Sequence, residues 1–234
     1  MLHFIPLLDE TSFWRKYTRF GCDKLFAKNL LTVVKVHIRD NFWYYIAALV
    51  LLFIGVVVGT TYASKTEMSQ CQSYFDDMFK MVSLEDYSPF KIFLYSASKN
   101  AALILALLIL SISLIGLPVM CGICLYAGFA ASYTLTVIGR IYGMKSILFY
   151  LGGLLPHNLI MVPVFLFYFT VSLRFYMYIL RTLLKKDRNG FDLKAEIPRY
   201  LFVSGICMLL MIAGSFFEGY ISYFFIKWMS GIFV

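Results

Sequence analysis

The chain reads as an all-α protein, a polytopic membrane helix bundle of about five transmembrane helices plus a short re-entrant or interfacial segment. Of 234 residues, 61% are hydrophobic and 18% aromatic, with mean hydropathy +0.77, far from the balance of a soluble domain. Only 15% are charged, and the charges fall in blocks separated by nearly uncharged stretches of membrane-spanning length. The basic residues flank apolar segments rather than lining one face, which argues for translocation topology and against nucleic-acid binding.

Residues 1–41 form a basic, amphipathic N-terminal region. Arg15, Lys16, Arg19, Lys24, Lys28, Lys35 and Arg39 stand there against Asp9, Glu10, Asp23 and Asp40, interleaved with apolar positions at helical spacing. A surface helix on the cytoplasmic leaflet and a lead-in folded against the bundle both fit that pattern. Met1–Leu8 is too short for a cleavable signal, so the first span is expected to stay as an anchor.

The membrane domain is placed at 42–221. Span one runs from about Phe42 to Ala63 and opens on an aromatic belt, Phe42 to Tyr45. Gly55 and Gly59, four apart, let another helix backbone approach; an intrachain seam is favoured over a homodimer face because the motif is common. The loop 64–100 follows, near neutral and assigned to the outside. Within it Tyr74, Phe75, Met78, Phe79 and Val82 share one helical face, which makes them a candidate partner-docking stripe. Ser88 before Pro89 reads as a helix start.

From Asn100 to Gly139 no residue is charged, and roughly 39 residues suit two spans joined by a tight turn at Gly116 and Pro118. Span two should end near Ile115 and span three start near Val119. Gly122 and Gly128 belong to a small-residue stretch expected at the centre of the bundle. Ser146–Leu155, with Gly152 and Gly153, is too short to cross and reads as the re-entrant or interfacial segment. Span four covers about Asn158 to Leu180, the basic loop 181–199 returns to the cytoplasm, and span five covers about Tyr200 to Tyr220, leaving 222–234 as an interfacial tail. The count puts the N-terminus in the cytoplasm and the C-terminus outside.

Few residues could carry chemistry. Pro156, His157, Asn158 and Pro163 bracket a helix start, a form that in transporters exposes backbone groups to a solute or ion. The bland alternative is that His157 and Asn158 satisfy freed backbone groups, and it is preferred because a conduction path recruits more ionisable side chains. Arg174 and Glu218 are expected to reach opposite headgroup regions. Cys121 and Cys124 lack a second ligand pair and act as small hydrophobes. The five cysteines, mostly within or behind spans, argue against a disulfide framework. No catalytic, cofactor or metal site is expected, and none of the hydrolase or phosphate-loop motifs occurs.

At Ser111–Val119 (SISLIGLPV), along the small-residue helix through Gly128, and at Gly152–Phe165 (GGLLPHNLIMVPVF), the chain resembles the stage II sporulation protein M family, over roughly Phe42 to Leu180. The resemblance implies a non-catalytic protein of the cell membrane, at the sporulation septum or engulfing membrane. It implies partnership with two cell-wall hydrolases, sporulation protein D, a lytic transglycosylase, and sporulation protein P, an amidase/endopeptidase. The resemblance also implies a glutamate, present in many broader relatives, within the proline-histidine segment; this chain has Met161 there, which weakens an ion-coupled transport reading.

Overall fold

A computed structural model of the chain describes residues 35–67, 69, 71–73, 88–113, 115–184, 193–222 and 224–225. It divides into two units, Met1–Phe42 and Trp43–Val234. In the first, residues 35–40 are helical, and the Asn41 side-chain amide donates to the His37 carbonyl at 2.9 Å, closing that turn. The amphipathic pattern over residues 1–34 and the docking stripe Tyr74, Phe75, Met78, Phe79 and Val82 lie outside the described residues.

The second unit is built from helices, with no strand among the described residues. In order they are α1 (Phe42–Lys65), α2 (Pro89–Ile112), α3 (Gly116–Tyr142), α4 (Leu155–Leu184) and α5 (Leu193–Phe217). Five helices are long and apolar enough to cross a membrane, as the composition predicts. They differ in depth: 56% of the α4 spanning window is buried, against 17–33% for the others. Helix α4 is therefore the central one, which explains why it can hold Thr170 and Ser172 fully buried while α1 turns Phe53, Val57 and Val58 outward.

Helices α1 and α3 run parallel and touch backbone to backbone. Gly55 faces Leu125 and Phe129, Gly59 faces Phe129 and Ser132, and Gly128 faces Leu52. The Cys124 thiol donates weakly to the Ala48 carbonyl at 3.5 Å. Gly122 is not part of this seam; it is exposed, with nothing within 4 Å of a Cβ built there. The seam repeats at Cys124, Gly128 and Ser132, and two residues away from Cys124 is about 200° around the helix.

The turn between α2 and α3 lies three residues nearer the N-terminus than the sequence predicts. Helix α2 ends at Ile112 and α3 begins at Gly116, whose N–H donates to the Ser113 carbonyl at 2.9 Å. Gly116 lies against the main chain of Leu110, so the reversal needs its missing Cβ. Pro118, expected in the turn, is instead in the first turn of α3, where a missing N–H leaves no intrahelical bond unmade. At the start of α2, Ser88 takes the capping position with Pro89 behind it, but its hydroxyl makes no cap bond; its carbonyl accepts from Lys91 and Ile92 instead.

Ser146–Leu155 is helical throughout. The chain reverses at Gly143 (φ 55°), passes through a 3-10 turn (Gly143–Lys145), one α-turn (Ser146–Phe149) and a π turn (Tyr150–Leu154), and enters α4. The expected break in the backbone is thus a widened turn, which keeps main-chain groups bonded while bending the entry to α4.

Candidate functional site: a buried polar seam

Helices α2, α4 and α5 pack against one another, and buried polar side chains from all three meet along their shared seam. Midway along it, the Tyr168 hydroxyl donates to the Ile104 carbonyl at 3.3 Å and stands 2.9 Å from Ser204 Oγ and 3.3 Å from Tyr200 Oη. Tyr200 Oη is in turn 3.0 Å from Ser172 Oγ, and its ring stacks on Phe175 with centroids 4.2 Å apart. Tyr168 and Ser172 are fully buried, so these bonds answer groups that have no water to turn to.

Toward the end of the bundle that carries Pro89 and Leu155, a second cluster joins α2 to α5. Asn100 Nδ2 donates to Ser96 Oγ at 3.2 Å and to Ser215 Oγ at 2.9 Å, and Ser96 Oγ donates to the Glu218 carboxylate in a short bond. Ser215 Oγ donates to the Met211 carbonyl at 3.0 Å. Glu218 opens a second π turn, Glu218–Ser222, which packs against both α2 and the first π turn. Gly219 within it lies against the main chain of Phe93, and Gly152 in the first lies against the Phe225 ring.

The Pro156, His157, Asn158 group occupies the first turns of α4, with Pro163 inside the helix. His157 Nδ1 is buried with no hydrogen-bond partner among the described residues. Helices α4 and α5 are antiparallel, and Met161 packs onto Gly214. Four residues from each, in opposite chain directions, stand His157 and Glu218, which therefore share a level in the bundle. An acid therefore sits at the height of His157, just past the end of the neighbouring helix α5.

Glu218 does not simply reach for headgroups as the sequence suggests; it turns inward to Ser96. The cluster was missed because Ser96 and Asn100 fall in the stretch assigned to the outer loop. The signal was present, since Ser96 and Asn100 are four apart, as are Tyr200 and Ser204, and Tyr168 and Ser172, each pair on one helical face. Among the described residues no group of histidine, cysteine and acidic side chains could hold a metal ion.

The family model described as stage II sporulation protein M matches residues 48–223, which contain all of α2, α3, α4 and α5. No curated protein and no solved structure matches the chain. The match takes in both ends of the polar seam, the Gly116 turn and the Pro156–Pro163 entry to α4, and it extends past the region that the sequence motifs alone connect. The chain is a multi-pass membrane protein and belongs to the sporulation-related stage II sporulation protein M family.

Proposed function

We propose that the protein is a non-catalytic membrane scaffold that anchors and positions peptidoglycan hydrolases during endospore engulfment. The observation that carries the proposal is the family match over residues 48–223. The interior supports it. Tyr168, Phe169, Ile104, Leu107 and Met120 are fully buried at the meeting of the central helices, and the Tyr168, Tyr200, Ser172 and Ser204 hydroxyls are spent on one another. In this reading the partners are sporulation protein D and sporulation protein P, which cut glycan and peptide outside the membrane while this chain holds them in place. The N-terminus is cytoplasmic, and the loop after α1, with Phe75 and Phe79 on one sequence face, meets the hydrolases.

Exchanging Phe75 and Phe79 for aspartate tests the contact. Recovery of the two hydrolases with the inserted double variant should fall, whereas recovery equal to wild type would remove the loop from the interface. A second reading, a transport or permease-like component, has one observation in its favour: the buried His157 Nδ1 without a partner beside a π turn. Loss of solute flux in His157→Ala would favour that reading, and unchanged flux would count against it.

A further inference from the structure

Glu218 is a carboxylate within a helix of spanning length, and its hydrogen-bond partner among the described residues is a neutral hydroxyl. No lysine, arginine or histidine among the described residues pairs with it. Asn100 donates to Ser96 and Ser96 donates to Glu218, so a chain of donors ends on the carboxylate. A negative charge so placed has no counter-charge among the described residues, and at membrane depth such a deficit is costly.

We infer that Ser96, Asn100, Ser215 and Glu218 form a binding site for a monovalent alkali cation, such as sodium. The ligands are hard oxygens, the carboxylate and two hydroxyls, together with Asn100 Oδ1, which a half-turn of the amide presents in place of Nδ2. One carboxylate balances one positive charge, whereas a divalent ion would leave a net charge in a medium of low dielectric.

Glu218 is half-buried and its neighbours Phe216 and Tyr220 are exposed, while Ser96 and Ser215 are buried. Beyond Asn100 the seam is closed by Ile104, Cys207 and Met211, each at most 2% exposed, so the ion has a seat and no onward path. Binding would tie α2 to α5 without moving a solute across, which makes the site independent of the scaffold role.

The test uses the full chain in lipid nanodiscs at constant ionic strength, with sodium chloride replacing N-methylglucamine chloride. The unfolding midpoint should rise saturably with sodium, because an ion that binds the folded state stabilises it by mass action. Glu218→Gln should lose the saturable rise. Ser215→Ala should weaken the apparent affinity by about tenfold or more, the loss of one charge-assisted contact, and it serves if the first variant does not fold. Gly122→Ala, off the seam, should respond as wild type does. No response in wild type, an equal response in Glu218→Gln, or a midpoint that follows pH and ignores sodium would overturn the inference, the last by showing that a proton neutralises the carboxylate.

Discussion

Gly55 on α1 lies against the main-chain carbonyl of Leu125 on α3, so close that no Cβ fits between them. Gly59 and Gly128 repeat the relation one turn up and on the opposite helix. The glycine pair is therefore used inside the chain, and the parallel packing of α1 on α3 depends on it. Gly55→Ala, Gly59→Ala or Gly128→Ala should each cost about 1–3 kcal/mol through overpacking against backbone that cannot rotate away. Gly122→Ala should be close to neutral. Unfolding in a mild detergent with graded SDS measures the difference, and equal midpoints for Gly55→Ala and Gly122→Ala would refute it.

Arg140 ties the same two helices at their far end. Its guanidinium donates to the Ala63 carbonyl at 2.5 Å and the Thr66 carbonyl at 3.3 Å, placing a cation on the C-terminus of α1. Arg140→Gln should loosen that terminus by about 1 kcal/mol. Hydrogen exchange should quicken in the last turn of α1, near Lys65, and stay unchanged at Gly55. Equal protection in wild type and Arg140→Gln would argue that the contact contributes nothing.

The mid-seam hydroxyls should behave as one unit. Tyr168→Phe removes the group that Ile104, Ser204 and Tyr200 share, at a cost of about 0.6–1.7 kcal/mol by the usual worth of interhelical bonds in membranes. Because Tyr168 and Tyr200 share a bond, the double change to phenylalanine should cost less than the two single costs added together. Strict additivity in a double-mutant cycle would show the two rings acting separately.

At the α2–α3 turn the two residues that the sequence pairs should part company. Gly116→Ala places a Cβ against the Leu110 main chain and should cost about 1–3 kcal/mol. Pro118→Ala should change stability by less than about 1 kcal/mol, since first-turn positions tolerate proline without requiring it. Thermal unfolding of the two variants in parallel decides it.

The bundle was legible because spanning length and charge placement are properties of long segments, and errors of a few residues do not disturb them. Gly55, Gly59 and Gly128 were legible for the same reason: small residues at fixed spacing mark close approach whichever helix is the partner. Helix ends were less so. Pro118 misled because the bias of proline against a helical predecessor is a tendency, and Leu117 is helical all the same. The polar seam was hidden by its dispersal, as Ser96, Asn100, Ser215 and Glu218 come from helices more than a hundred residues apart and only the antiparallel register of α2 on α5 joins them. His157 stood out in the sequence, but its relation to Glu218 follows from Met161 meeting Gly214, a contact no local pattern encodes.

Co-purification from native membranes of sporulating cells tests most directly the proposal that this chain holds cell-wall hydrolases at the membrane. The full chain, gently solubilised, should bring down a lytic transglycosylase and an amidase/endopeptidase in fixed proportion, and bring them down less when Phe75 and Phe79 are aspartate. Recovery of the chain with neither hydrolase, from membranes that contain both, would contradict the account.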